Sequence, residues 1–260
     1  MQPGMNSADQ VWRTAEVAQR YLEGVRGAIP LAAEQIRILL RLVEAAVPDV
    51  GSFLDVGCGD GILGRALLDR WPSACGVFLD FSEPMLAAAR ERLGAPAAHH
   101  FILQDYGQPD WTAALNGICP FDVVVSGFSI HHQPDEKKRA IYQDIFELLR
   151  VGGIFLNLEH VASASSWGAA RFDDCFVDAL SEFHARTGTG MPREQIEREY
   201  HQRADKAANI LAPVEDQCRW LRQIGFADVD CYFKAFELAL LGGRKPAAAQ
   251  AARLVGQKHR

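Results

Sequence analysis

The chain has 260 residues, 48% of them hydrophobic and 23% charged. That composition is ordinary for a globular protein, and the length allows one well-buried domain with an appended lid, or at most two small domains. Its formal charge of −6 and pI near 5.8 argue against a nucleic-acid surface. No apolar run reaches the length of a membrane span, and the N-terminus lacks a charged-then-apolar signal pattern. Six cysteines occur without a C-x-x-C pair, so a cytoplasmic protein with reduced thiols and no metal site is expected.

Residues 1–15 are polar, and Glu16 to Leu22 reads as a short helix that the run Arg26-Gly27-Ala28-Ile29-Pro30 breaks. Ile36, Leu39, Leu40, Val43 and Val47 recur at helical spacing up to Pro48, which predicts a helix packed on a sheet. From Phe53 to Gly64 a short apolar run enters a glycine cluster. An amphipathic pattern follows, with Leu63, Leu67 and Leu68 on one face and a stop at Trp71-Pro72. This reads as strand, tight turn and helix. Glycines there permit positive φ and close approach of backbone to a ligand, and the helix presents unpaired N–H groups at its start.

A second apolar run, Gly76 to Leu79, ends in Asp80, and Ser82 is placed to cap a helix carrying Met85, Leu86, Ala89 and Leu93. Phe101-Ile102-Leu103 predicts a third strand. Phe121 to Val125 is continuously apolar and β-branched, as a buried central strand should be. Ser126-Gly127-Phe128-Ser129-Ile130-His131-His132 then leaves the sheet at its carboxyl edge, where open parallel sheets bind ligands. Pro134-Asp135-Glu136 opens a helix with Ile141, Ile145, Leu148 and Leu149 inward and Lys137, Lys138 and Arg139 outward as a solvated face. Gly152-Gly153 turns into a fifth strand, Ile154 to Leu158, ending at Glu159-His160.

Residues 161–212 break the strand–helix rhythm. Phe172, Phe176, Leu180 and Phe183 set one helix there, Thr187 to Pro192 is a connector, and Arg193 to Lys206 is a charged helix. This insertion reads as a substrate lid. Pro213 to Ile224 is a last helix, and residues 225–234 and 235–241 are strand-like runs expected to pair as a hairpin at the sheet edge.

Two acidic residues bear on the ligand. Asp80 lies about 20 residues beyond the glycines, where an α/β nucleotide fold sets a carboxylate against ribose hydroxyls. The same pattern suits NAD. Asp55, two residues before the first glycine, disfavours a pyrophosphate and favours a cationic ligand. A dehydrogenase would also need a second α/β half or a substrate domain, for which no chain is left.

VGCGDGILGRAL followed by FLDFSEPML resembles motifs I and II of the class I S-adenosylmethionine-dependent methyltransferases. Gln104-Asp105-Tyr106, FDVVVSGFSIHH and LLRVGGIFLNLEH follow in the family's order, so the resemblance spans roughly residues 20 to 245. Val151 stands where the family often has proline. The resemblance implies an α/β, Rossmann-like class I methyltransferase fold: a seven-stranded, mostly parallel sheet with a C-terminal antiparallel hairpin and a helical lid. It also implies a division into an N-terminal cofactor-covering segment (1–30), an S-adenosylmethionine-binding core (31–160), the lid (161–212), the last helix and hairpin (213–245) and a tail (246–260).

By the same resemblance the cofactor, S-adenosyl-L-methionine, is held by Asp55, Gly57, Cys58, Gly59, Asp80, Phe81, Met85, Ser126 and Ile130. Gln104, Asp105 and Tyr106 lie by the adenine, and Tyr21 and Arg26 cover the whole. The carboxylate of Asp105 would accept from the exocyclic amine.

Methyl transfer from a sulfonium requires near-attack geometry and exclusion of water, and needs a general base only where the nucleophile carries a proton. His131 and His132 are the base candidates, since histidine titrates near working pH. Glu159 and His160 form a second candidate pair lining the substrate. The lid also resembles the carboxy-S-adenosylmethionine synthase branch, in which a lid arginine binds an added carboxylate on the cofactor; Arg203 is the candidate here. A small-molecule methyltransferase is therefore expected, with a homodimer open to it and no nucleic-acid or membrane partner. The alternatives are an enzyme that makes or uses a carboxylated cofactor, and a non-catalytic cofactor-binding partner protein.

Overall fold

A computed structural model describes residues 25–94, 98–203, 206 and 208–247. Tyr21, the helix expected over 16–22 and most of the tail lie outside the described residues, as does the side chain of Arg26.

Strands β1 (Ser52–Val56), β2 (Cys75–Asp80), β3 (His100–Leu103), β4 (Phe121–Gly127), β5 (Leu149–His160), β6 (Ala227–Ala235) and β7 (Leu238–Arg244) form one sheet in the order β3-β2-β1-β4-β5-β7-β6. The pairs among β1 to β5 are parallel, whereas β7 pairs antiparallel with both β5 and β6. Alternation along each strand feeds two cores. Leu54, Val56, Val77, Leu79 and Val124 face one side, where α4 (Asp135–Leu148) and α7 (Val214–Ile224) cover them with Ile141, Ile145, Trp220 and Leu221. Phe53, Phe78, Val123, Val125 and Leu156 face the other, beneath Leu39 and Val43 of α1 (Ala32–Ala46), Leu63 and Leu67 of α2 (Ile62–Arg70) and Leu86 of α3 (Glu83–Leu93). Burial on both faces explains why these strands read as unbroken apolar runs.

The insertion folds as α5 (Ser166–Thr187) and α6 (Arg193–Gln202). Phe172, Phe176, Val177, Leu180, Ile196 and Tyr200 form a third cluster with Ala28 and Leu238, against which Ile29, Phe128 and Phe183 pack. It thereby joins the 3₁₀ turn Val25–Ala28 to the carboxyl edge of the sheet.

Several sequence expectations need correcting. Lys138 is fully buried rather than solvated: its ammonium donates to Asp135 Oδ1 at 2.9 Å and to the carbonyl of Ile210. The surface pattern of α4 hides this partner, which comes from 72 residues away. Leu149 belongs to β5 rather than to the helix, and Gly152, at φ +86, is a kink inside that strand, whose register against β4 shifts there. Helix α6 stops at Gln202, short of Lys206. Ser82 stands at the N-cap of α3 but its hydroxyl makes no capping bond. The hairpin turn falls at Phe236–Glu237, so β7 runs on to Arg244.

Candidate active site

The order of the sheet reverses between β1 and β4, and a crevice opens outside the carboxyl ends of strands on either side of such a point. A cavity of about 410 Å³ lies there, walled by the loop after β1, the ends of β2 and β4, α1 and the 27–32 segment.

Its floor is the glycine loop. Gly57 N and Cys58 N both donate to Leu79 O, at 2.8 and 3.0 Å, Gly59 N donates to Asp80 Oδ2 at 2.8 Å, and Gly61 N to Cys58 O at 2.9 Å. These amides are spent inside the protein, so the loop offers no nest of donors for a pyrophosphate. Gly57 takes φ +65, and a Cβ there would stand 1.9 Å from Ser129 Oγ, so the β1 and β4 loops meet only because it is glycine.

Acid groups dominate the lining. Asp55 and Asp80, both buried, face the cavity with Asp60. Asp55 Oδ2 accepts from Gly64 N at 2.9 Å, tying the strand end to the first turn of α2. Asp80 is held by Gly59 N and, through Oδ1, by Ser82 N at 2.8 Å. Burial raises its pKa to about 6, although those backbone donors pull the other way. Burial and then the charges of Asp80, Asp55 and Asp60 push the Cys58 thiol well up, so it is an inert wall residue in a negative field. Arg92 answers part of that field by pairing with Asp60 at 2.5 Å.

Of the residues singled out in the sequence, Asp55, Gly57, Cys58, Gly59, Asp80, Phe81, Met85 and His132 line this cavity. Others stand behind it. Ser126 Oγ donates to Val56 O at 2.8 Å, pinning β4 to β1, and Ile130 is core. Asp105 accepts from Gly107 N at 2.8 Å and Gln108 Nε2 at 3.1 Å, which makes it the organiser of its own turn. Gln104 bonds within that turn, and the Tyr106 hydroxyl lies 2.6 Å from Ser129 Oγ. None of these five lines the cavity, nor do Glu159, His160 and Arg203. Arg203 lies over the Tyr200 ring, 5.7 Å from its centroid.

The two adjacent histidines divide. His132 lines the cavity, while Nδ1 of His131 sits 2.8 Å from Glu159 Oε1. Their rings are 4.0 Å apart. Glu159 also accepts from Asn157 Nδ2 at 2.9 Å and from His160 N at 3.0 Å, and burial raises its pKa to about 7. His160 turns away to Glu237, with Nε2 2.8 Å from Oε2.

Sequence reasoning missed Gln35, Phe128 and Ser129. Gln35, on the inner face of α1, donates from Nε2 to Pro30 O at 2.8 Å and so holds the 27–30 segment over the cavity. Phe128 is in the left-handed region at φ +49, a conformation costing a bulky residue about 1–3 kcal/mol and typical of ligand sites. Its sequence neighbours carry no sign of that strain.

Residues 54–155 match the family described as methyltransferase domain. A carboxy-S-adenosyl-L-methionine synthase of Chromohalobacter salexigens is 23% identical over 234 residues, covering 86% of this chain and 79% of that protein. A malonyl-acyl-carrier-protein O-methyltransferase of Magnetococcus marinus is 33% identical over 115 residues, 44% of this chain. Residues 54–155 thus carry the methyltransferase-domain match, and a weaker likeness to an enzyme of S-adenosylmethionine chemistry extends over most of the chain. The chain matches only 40% of the length of the Magnetococcus methyltransferase. In fold, this chain is similar to an O-methyltransferase family protein from Burkholderia thailandensis. That likeness has a TM-score of 0.56 at 16% identity and covers 92% of this chain and 67% of that one.

The cavity suits the family's cofactor. S-adenosylmethionine carries positive charge and a neutral ribose, and the cavity offers carboxylates and a loop whose amides are already bonded. Asp80 would take the ribose, the Gly57–Gly59 floor would lie along the ligand, and Met85 and Phe81 would pack on the nucleoside.

Proposed function

We propose that this methyltransferase moves a methyl group from S-adenosylmethionine to a small-molecule acceptor bearing an ionisable proton, and that His132 receives that proton. The observation carrying this reading is the position of His132: a buried histidine on the wall of the same cavity whose floor is the glycine loop and Asp80. Bound there, the cofactor supplies an activated methyl group on a positively charged sulfur. The residues of the chain do the rest. Asp55 and Asp80 attract the cation, the glycine floor and the strained Phe128 fix the approach, and His132 takes a proton from the acceptor. A positioned base contributes about 10²–10⁴-fold in rate. The insertion acts as the lid that excludes water, and the 25–30 segment covers the cofactor. The reading extends to a cytoplasmic enzyme without a nucleic-acid or membrane partner; among the described residues no helix is long and apolar enough to cross a membrane.

A metabolite extract incubated with enzyme and cofactor should yield a species heavier by one methyl. The His132→Gln variant should form it at least about 10²-fold more slowly. Undiminished turnover in that variant would remove His132 from the chemistry, and His131, paired with Glu159, would become the base.

A second reading is favoured by the Chromohalobacter relative, whose similarity extends over most of this chain. Under it the enzyme makes or uses a carboxylated cofactor and Arg203 reads the added carboxylate. Mass spectrometry of ligand released from purified protein separates the readings: unmodified cofactor or its demethylated product supports the first, a carboxylated form the second. Neither form, with no binding of added cofactor, would defeat both.

A further inference from the structure

Beyond the helices of the insertion the chain runs back across the carboxyl edge of the sheet, and three consecutive residues are each gripped from below. The Ala208 carbonyl lies 3.4 Å from His132 Nδ1. Asn209 Nδ2 lies 3.4 Å from His160 Nδ1. Ile210 N donates to the backbone carbonyl of His131 at 3.0 Å, and Ile210 O accepts from the buried ammonium of Lys138. An ammonium without exposed surface is tolerated only where it is paired and hydrogen-bonded, so Lys138 marks Ile210 O as a partner the fold is built to keep.

A carbonyl oxygen only accepts. In that contact the nitrogen facing Ala208 O is the donor, which places the proton of neutral His132 on Nδ1 and its basic lone pair on Nε2. His131 is different: its Nδ1 meets the Glu159 carboxylate, and its own backbone carbonyl helps to seat the strap. The side-chain dyad serves one histidine and a backbone carbonyl serves the other.

We propose that residues 208–210 are a positioning strap: the Ala208 carbonyl sets the tautomer of His132, and Lys138, Asn209 and the His131 carbonyl hold it in place. The catalytic consequence of the strap, though not the tautomer it sets, rests on the proposed role of His132 as proton acceptor. Under it, seating of the insertion's return segment and readiness of the base are one event. With the strap down, the lone pair is on Nε2; with the strap lifted, the ring loses a carbonyl that favours the Nδ1–H form.

The test is ¹⁵N NMR of the full chain labelled at histidine, recorded at about pH 8.5, two units above the ordinary histidine value. The His132 signals are assigned by their loss in His132→Gln. The wild type should show His132 protonated at Nδ1. Lys138→Met and Asn209→Ala should each shift it towards a mixture of tautomers and lower turnover on the acceptor found above by about ten-fold, less than the about 10²–10⁴-fold cost of losing a base. Should Lys138→Met fail to fold, Asn209→Ala, at a half-buried position, answers alone. An Nε2–H tautomer in the wild type would overturn the strap. So would an unchanged Nδ1–H tautomer in Asn209→Ala and in folded Lys138→Met. A tautomer that shifts in both variants, beside full turnover by His132→Gln, would leave the strap standing and sink the base.

Discussion

Asp80 concentrates the physics of this site in one side chain. Each oxygen already accepts a backbone donor, yet burial holds its pKa near 6, so it is ionised at neutral pH at some cost. Removing it by Asp80→Ala leaves Gly59 N and Ser82 N without their acceptor and takes away the group read as the ribose partner. Cofactor affinity should fall by about 1.5–3 kcal/mol, roughly 10- to 150-fold in Kd. Calorimetry showing unchanged affinity would rule out this placement. The pH dependence has a definite sign: protonation of Asp80 removes the charge the ligand favours. Affinity of the wild type should therefore weaken as pH drops through about 6, and the Asp80→Ala variant should lose that limb. An acid limb that survives the substitution would assign it elsewhere.

At the scale of elements, the two helices of the insertion pack through a small aromatic cluster that also takes in Ala28 and Leu238. Phe172 sits at its centre, 5.7 Å ring to ring from Phe176 and 5.3 Å from His160. Truncation to alanine should cost about 3–5 kcal/mol of local stability. Because the two main cores do not include this cluster, the loss should be local. Hydrogen exchange in Phe172→Ala should accelerate in α5 and α6 while β4 stays protected; equal acceleration in β4 would mean that insertion and core unfold as one unit. The amphipathic spacing of Phe172, Phe176 and Leu180 announced α5 in the sequence. The reach of that helix back to Ser166, where Ser165 Oγ accepts from Gly168 N at 3.1 Å, lay in a cap among several serines of similar promise.

At the scale of the whole molecule, two carboxyl groups among the described residues, Asp80 and Glu159, have pKa values raised by burial to about 6 and about 7 from ordinary values of 3.8 and 4.5. Between those limits the native state binds more protons than the unfolded chain, so each group contributes stability that is full at low pH and lost as pH rises through its folded value. While only the native state holds the proton, the slope is at most about 1.4 kcal/mol per pH unit for each group. Urea unfolding between pH 4.5 and pH 7.5 should show wild-type stability falling relative to Asp80→Asn and Glu159→Gln, whose curves should be flatter. Parallel curves for wild type and both variants would mean that the two carboxyls are ordinary. The comparison between proteins isolates these groups from the histidines and surface acids that titrate in the same range.

Local composition alone determined the alternation of strand and helix, the glycine turn after β1, the acid at the end of β2 and the edge hairpin. Each is a short-range consequence of side-chain period and backbone freedom, and each is readable within some 20 residues. The ordered motifs also carried the family. The tertiary structure decided which neighbours share a space. His131 and His132 are adjacent in sequence, yet one turns to Glu159 and the other to the cavity. Lys138 looked solvated until Ile210, 72 residues on, supplied its carbonyl. Asp105 stands at the end of β3 as expected, and its oxygens also accept from Gly107 N and Gln108 Nε2 of its own turn. These outcomes depend on burial and on hydrogen-bond partners from distant segments, and no sequence window contains both halves of such a contact.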